Sequence, residues 1–284
     1  MLFIIVPVHN RIESTKQFLN SLFKQEYKDF KVVIVDDGSN DNTHLFVKKN
    51  YPDIELLNGD GNLFWGGAIN KGLAYLENIV TDADLIAFAN NDVLLATNTI
   101  FNLIKRVKEN KNALYHPVSV DGTNTCISSG AQLKSWIIFN TYHPFRGRDY
   151  NVIKDSPIVQ VDFATARFLL FSASLLKVVS RIDTKRFQHY IGDYDFSMQM
   201  KKHSINTYIV PESKCIVDTK TTGNNPSQID GIIPFFRSLN SIKSTNNIKI
   251  RFLFGRKYCP LYFLPFYFTA TIIQVAILNF WKRK

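Results

Sequence analysis

The sequence predicts an α/β chain: a mostly parallel sheet with helices on both faces, followed by a basic, apolar C-terminal tail. Three observations carry this expectation. Short branched apolar runs alternate with segments of helical periodicity over about 115 residues, the pattern of a sheet buried on both sides. Apolar residues make up 45% and charged residues 20% of 284, which excludes a disordered chain and supports a sizeable core. The basic excess is confined to one end. No acidic residue follows Asp230, and the tail from Gly231 to Lys284 holds nine Lys and Arg, whereas the first 230 residues carry 25 basic against 24 acidic.

In chain order, Leu2 to Val6 and Lys31 to Asp36 read as buried strands, with Phe18, Leu19, Leu22 and Phe23 at helical spacing between them. A helix is expected from about Asn42 to Lys49, a short strand over Ile54 to Leu57, and a helix after Gly67 to about Glu77. A strand at Leu85 to Ala89 and a helix at Thr97 to Lys108 complete the regular part. From Ala113 to about Asp162 the pattern loosens into short pieces and polar loops, including the aromatic and basic stretch Tyr142 to Tyr150, a region expected to shape an acceptor pocket. Regularity returns with a strand near Arg167 to Phe171, helices near Ser174 to Val179 and from Asp193, and a strand at Thr207 to Val210.

Several function classes recede at once. A charge excess restricted to the tail is not the patterned basic face of a nucleic-acid binder, so no nucleic-acid partner is expected. Cys126, Cys215 and Cys259 are odd in number and far apart, which spells neither a disulfide framework nor a paired-cysteine zinc site and suits a reducing compartment. The opening run Met-Leu-Phe-Ile-Ile-Val-Pro lacks the basic flank and cleavage site of a signal peptide, so a cytoplasmic location is expected.

Ligands of doubly wound sheets bind outside the carboxyl ends of the strands. There the sequence places Pro7-Val8-His9-Asn10, Asp36-Asp37-Gly38-Ser39, Gly59-Asp60-Gly61-Asn62 and Asn90-Asn91-Asp92. Alone, each is an ordinary turn or helix cap; four together point to a site. The stretch GDGNLFWGGAINKG (Gly59 to Gly72) is neither a dinucleotide fingerprint, whose third glycine would fall at Phe64, nor a P-loop. It leaves a turn feeding a helix N-terminus, whose free donors favour a diphosphate. Trp65 in that turn reads equally as a core aromatic or as a wall against a sugar or base. A lone carboxylate at Asp92 suits a hard cation that also takes diphosphate oxygens. Asp193 and Asp195, two residues apart at a helix start, read as helix-end electrostatics or as a general base and its support.

Taken in order, PVHN (Pro7 to Asn10), VDDGSNDNT (Val35 to Thr43), GNLFWGGAINKG (Gly61 to Gly72), NND (Asn90 to Asp92) and GDYDF (Gly192 to Phe196) resemble the family 2 glycosyltransferases. The rhamnosyltransferase-like branch of bacterial surface-polysaccharide synthesis, of the O-antigen or capsule kind, is the most similar. The resemblance spans roughly residues 2 to 215. It implies a GT-A type, Rossmann-like mixed sheet, a UDP- or dTDP-sugar donor, Mg2+ or Mn2+, and inverting transfer to a glycan or lipid-linked saccharide.

Residue by residue, the resemblance implies that Asp37 binds the donor's pyrimidine, with Pro7 and Asn10 in the loop around it. Gly61, Asn62, Trp65, Gly67 and Asn91 fall on the donor side. Asp92 matches the last Asp of the metal motif, with Asp218 as a second candidate ligand, and Asp193 matches the catalytic base, supported by Asp195. The chain departs from the family pattern at Asn90 and Asn91, which leave one carboxylate where relatives often have two. It departs again at Gly192, where an acid often precedes the base, and at Asp218, where a His is common. Two alternatives stay open: a sugar-nucleotide nucleotidyltransferase, and a non-catalytic nucleotide- or glycan-binding relative.

The expected division is a catalytic domain over residues 1–230 and a tail over 231–284. Tyr258 to Trp281 is an uncharged run of 24 residues between basic flanks. Prolines at 260 and 265 and its aromatics favour an anchor lying on an anionic membrane surface, peripheral on the inner face, over a span. A helix packed on its own domain or in a homo-oligomer is the third possibility.

Overall fold

The structure, a computed structural model, describes residues 1–217, 232–242, 244 and 246–280, with 232–233 and 278–280 as backbone only. Strands β1 (Leu2–Val8) and β2 (Phe30–Asp36) pair in parallel along their whole length, joined by helix α1 (Ile12–Phe23). There follow α2 (Thr43–Asn50), β3 (Glu55–Asn58), α3 (Phe64–Leu76), β4 (Leu85–Ala89), β5 (Val93–Leu95) and α4 (Thr99–Glu109). The second half contributes β6 (Ala113–Val120), a hairpin of β7 (Gln132–Ser135) and β8 (Asn140–Tyr142), α5 (Tyr150–Ile153) and β9 (Val159–Val161). It continues with β10 (Phe168–Ser172), α6 (Gly192–Lys202) and β11 (Asn206–Val217); the tail forms α7 (Ile232–Ser238), α8 (Ile248–Tyr258) and α9 (Leu264–Phe280).

The main sheet runs β3-β2-β1-β4-β10-β6-β11-β5, with β9 also beside β11. The sheet is mixed. Parallel pairing holds β3 through β4 and joins β6 to β11, whereas β10 runs antiparallel to both β4 and β6. Along β1, Leu2, Ile4, Val6 and Val8 face an apolar layer shared with Phe18 of α1 and Leu103 of α4, while Phe3 and Ile5 face a second layer with Ile69 of α3 and Phe196 of α6. Alternation of the strand thus accounts for helices on both faces. Truncating one such buried leucine or isoleucine to alanine costs about 2–5 kcal/mol.

Several boundaries differ from the sequence reading. β6 is a fully buried central strand where the pattern suggested loose pieces. His116 and Pro117 disguise it, and Pro117 pairs at the edge of an irregularity, after which the register in β11 jumps from Val210 to Lys214. A proline is tolerated at such a break because its missing N–H leaves no gap in a continuous ladder. α3 starts at Phe64, ahead of the two glycines expected to precede it. The segment near Ser174 is a 3-10 turn over Ala173–Lys177, and β11 is a twelve-residue strand. All three cysteines are free and buried.

The tail packs on the body. Tyr267, Thr271 and Val275, each four residues apart, are buried on one face of α9, while Phe266, Ile273 and Ile277, seven and four residues apart on a second face, are exposed. Gly255 of α8 sits under the Tyr267 ring, where an added Cβ would come within 2.3 Å of it. Among the described residues no helix is long and apolar enough to cross a membrane.

Candidate active site

The carboxyl ends of β1 and β2 are laced together by their own loops. Asn10, in the left-handed region at φ 50°, donates its N–H to Ser39 Oγ at 2.9 Å and accepts from Asn40 N through Oδ1 at 2.8 Å. His9 Nδ1 lies 2.6 Å from the Asp37 carbonyl, a geometry in which the ring nitrogen must donate. Pro7 lies within β1 opposite Val35, just below this loop.

Asp37 is 5% exposed and organises the neighbouring turn. Its Oδ1 accepts from Gly61 N at 2.9 Å and Leu63 N at 3.2 Å, and its Oδ2 from Phe64 N at 2.9 Å. Phe64 opens α3, so the carboxylate sits at that helix's N-terminal donors and fixes where the turn meets the helix. A carboxylate has about four acceptor sites, so Asp37 retains capacity for one further donor. Asn62 is exposed on the same turn, and Gly67 lies in the first turn of α3.

Trp65 connects this turn to the rest of the site. Its Nε1 donates to Asn90 Oδ1 at 3.0 Å, and Asn90 N donates to the Arg167 carbonyl at 3.1 Å. One residue away, Ala166 N donates to Asp193 Oδ2 at 3.3 Å. The indole also covers Gly192, where a Cβ would lie 2.9 Å from Trp65 Cζ3. Here the chain has glycine because the tryptophan occupies the space a side chain at 192 would need.

The two asparagines of the NND segment diverge. Asn90 faces Trp65, whereas Asn91 is buried and donates to Thr15 Oγ1 at 2.9 Å, committed to α1. Asp92, with a side chain 11% exposed, accepts from Arg11 Nη1 through Oδ2 at 3.0 Å. Its Oδ1 is buried and has no hydrogen-bond partner. An orphaned carboxylate oxygen of this kind suits a divalent cation, because Mg2+ commonly takes one or two carboxylates and completes its shell with water and substrate phosphate. Among the described residues no three His, Cys, Asp or Glu side chains gather into a metal cluster, and Asp218 lies outside the described residues.

Asp193 is half-buried at the start of α6, following Ile191 in the left-handed region. Its Oδ1 accepts from Tyr194 N at 2.9 Å. Burial raises its pKa; the backbone donors of Ala166 and Tyr194, and then the Arg167 charge, act in the opposite direction without cancelling the shift. A carboxylate whose pKa is raised takes up a proton more readily than an exposed one, the direction a general base needs. Tyr194 stacks on Phe163 with ring centroids 4.8 Å apart, which packs this end of α6 against the body. Asp195 faces the other way, fully buried, with Lys257 Nζ 2.6 Å from its Oδ1.

The hydrogen-bonded chain Asp37, turn 61–64, Trp65, Asn90, Arg167 and Ala166 to Asp193 therefore joins four of the five sequence motifs at one edge of the sheet, and Arg11 ties Asp92 to the fifth, the PVHN loop. Around Asp92, Asp193 and Asp195 the structure brings Arg11, Arg167, Lys257 and Tyr258, the last with its hydroxyl 2.5 Å from Asp195 Oδ1, and sequence reasoning singled out none of them. Arg11 directly follows the first motif and could have been suspected as a counter-charge for Asp92; the other three carry no local signal.

Comparisons with known proteins bear on the family and the fold. A model of "Glycosyl transferase family 2" matches residues 3–175. An N-acetylglucosaminyl-diphospho-decaprenol L-rhamnosyltransferase of Mycobacterium tuberculosis is 25% identical over 229 residues, covering 75% of this chain and 74% of that protein. An uncharacterized glycosyltransferase of Haemophilus influenzae is 26% identical over 129 residues, 44% of this chain and 41% of its own length. Among solved structures, Staphylococcus aureus TarS (residues 1–349) superposes at a TM-score of 0.53 and 16% identity, covering 96% of this chain and 80% of that one. GalNAc-T7 with UDP, GalNAc and Mn2+ superposes at 0.60 and 11% identity over 77% of this chain, which spans under half (44%) of that structure. At such identities these structures speak to the fold alone, a mixed sheet of the GT-A type. With more than half its length matched by the family model and the motifs converging on one sheet edge, the chain belongs to glycosyl transferase family 2.

Proposed function

We propose that the chain is an inverting glycosyltransferase that moves a sugar from a UDP- or dTDP-linked donor to a hydroxyl of a lipid-linked glycan in bacterial surface-polysaccharide synthesis. The observation that supports this reading is the bonded path from Asp37 to Asp193, which links the carboxylate read as donor-binding to the one read as base at one edge of the sheet. Asp37, with Pro7 and Asn10 beside it, offers an acceptor to the N–H of a pyrimidine. Gly61, Asn62 and Gly67 shape the turn into α3; contrary to the sequence expectation of free donors there, its leading backbone N–H groups are taken by Asp37 and by the Gln188 carbonyl, so the diphosphate charge falls to the cation at Asp92. Trp65 forms the wall between donor and base, and Asn91 holds the NND turn to α1.

Asp193 takes the proton of the attacking hydroxyl as the new bond forms on the face opposite the leaving diphosphate, so a single displacement inverts the anomeric centre. Asp92 is the residue that would hold Mg2+ or Mn2+, whose contribution when bound is to stabilise charge on the leaving group as a Lewis acid. Arg11, just before α1, and Arg167, just before β10, add positive charge to this edge. The M. tuberculosis relative, whose name specifies a diphospho-decaprenol acceptor and an L-rhamnosyl donor group, supports a lipid-linked acceptor.

The tail supports a peripheral place on the inner face of the membrane. α9 exposes Phe266, Ile273 and Ile277, Lys249 and Arg256 of α8 are exposed, and the sequence has no acid after Asp230. Self-association through the same apolar face is the competing use of it.

The reading is tested by measuring hydrolysis of UDP-glucose, UDP-N-acetylglucosamine and dTDP-L-rhamnose with and without Mn2+. Metal-dependent release of the nucleoside diphosphate from one of them is expected. Binding without release by wild type, even with added glycan lipid extract, would instead identify a non-catalytic relative. Sedimentation with anionic vesicles, weakened by high salt, checks the tail; a soluble oligomer that ignores vesicles would refute the membrane role.

A further inference from the structure

Asp193 and Asp195 share the first turn of α6 but face opposite ways. At about 100° per residue, positions two apart lie about 200° apart around a helix, so whatever grips Asp195 sets the rotation at which Asp193 is presented. The grip on Asp195 is unusually complete for a carboxylate with 0% exposure. Its Oδ1 lies 2.6 Å from Lys257 Nζ and 2.5 Å from the Tyr258 hydroxyl; its Oδ2 accepts from Gln199 Nε2 at 2.8 Å and from Asp183 N at 3.3 Å. Two of these donors are the last two residues of α8, more than sixty positions further along the chain. Lys257 also reaches Asp183 Oδ2 at 3.0 Å, and Tyr258 stands 3.1 Å from the Asp195 carbonyl, so α8 binds the helix backbone as well as its side chain.

From this we infer that Lys257 and Tyr258 are positioning residues for the base: by holding Asp195 they fix the rotation of α6 and hence the direction of the Asp193 carboxylate. The inference rests on Asp193 as the general base. It places the working end of the catalytic unit at Tyr258, beyond the division near residue 230 expected from composition. A buried carboxylate stripped of its cation is poorly tolerated, so without Lys257 the helix start must turn or shift to find water or another donor. A displacement of about 1 Å at a reacting group costs about a hundredfold in rate.

The test uses the full chain and the sugar nucleotide that wild type cleaves fastest among UDP-glucose, UDP-N-acetylglucosamine and dTDP-L-rhamnose. Lys257→Met and the milder Tyr258→Phe should lower kcat about ten- to a hundredfold and leave KM for the donor within about twofold, with Lys257→Arg recovering much of the rate. In an Asp193→Asn background the same changes should have almost no further effect, because they act through Asp193; additive losses would mark a merely structural role. Amide exchange over residues 192–198 should quicken at least about tenfold in Lys257→Met, reporting the loosened helix start independently of turnover. Near-normal turnover by Asp193→Asn would sink the base assignment itself. Turnover lost in Asp193→Asn but kept in both α8 variants, with exchange unchanged, would overturn this inference alone. If no sugar nucleotide is cleaved, exchange decides, and unchanged protection overturns it.

Discussion

The proposed donor flank and the proposed base flank of the site are built in different ways. On the donor flank, loops following β1, β2 and β3 bond to one another within about thirty residues of sequence, and the side chains of Asn10, Asp37 and Ser39 act largely on backbone. On the base flank, Asp193 takes its surroundings from Ala166 and from Trp65 across Gly192, and its helix is held by Lys257 and Tyr258. A site made of strand-end loops is local and tolerates remote change. A site made by docking distant segments is exposed to substitutions anywhere along those segments.

The largest effect is expected on the base flank. Asp193→Asn should lower turnover by about a hundred- to ten-thousandfold while nucleotide binding changes little, measured by donor titration beside kinetics. Because burial raises the Asp193 pKa, its proton-accepting form is depleted as pH falls, and the acid limb of kcat should lie above the ordinary carboxylate range. The linkage has the opposite sign for folding. The native state binds this proton more tightly than the unfolded chain, so stability falls as pH rises from the ordinary carboxylate pKa through the raised one. Asp193→Asn should therefore be the more stable protein at neutral pH, a result that denaturant titration would confirm or refute.

On the donor flank, Asp37→Ala removes the acceptor of three backbone N–H groups and should cost about 3 kcal/mol in stability together with most of the nucleotide affinity. If affinity falls while stability holds, the three turn bonds contribute little and Asp37 serves the ligand alone. Between the flanks, Gly192→Ala forces a methyl against the indole and should cost about 1–3 kcal/mol. The cost should shrink when Trp65 is changed to Leu; an undiminished cost would show that backbone conformation, not the ring, demands the glycine. The smallest effect is expected at Asn91, where alanine should cost about 1 kcal/mol through the lost bond to Thr15 and leave donor affinity unchanged. A clear affinity loss there would return Asn91 to the donor site.

This contrast also explains what could be read in advance. The strand ends announced themselves because each motif directly follows an apolar run, and the alternation of β1 made the two helical layers legible. The orientation of Asn90 against Asn91 was not, since adjacent residues at a strand end face opposite sides and either could have faced Trp65. β6 was hidden by Pro117, whose tolerance depends on an irregularity in a partner strand about ninety residues away. The docked face of α9 was hidden because its buried residues, including Thr271, are no more apolar than exposed Ile273 and Ile277, so no period separates them. The hold of α8 on Asp195 leaves no spacing signal at all.

Trp65 ends up with its Nε1 hydrogen in one flank's hydrogen bond and its six-membered ring against the other flank's helix. Of the chain's three tryptophans, Trp136 lies stacked on Phe139 within the aromatic cluster and Trp281 lies outside the described residues. The emission of Trp65, isolated as the difference between wild type and Trp65→Phe, is thereby an intrinsic optical gauge of the seam. A nucleotide that draws in the turn at 61–64 and an acceptor that presses on α6 would perturb the same indole, each through a different edge of it.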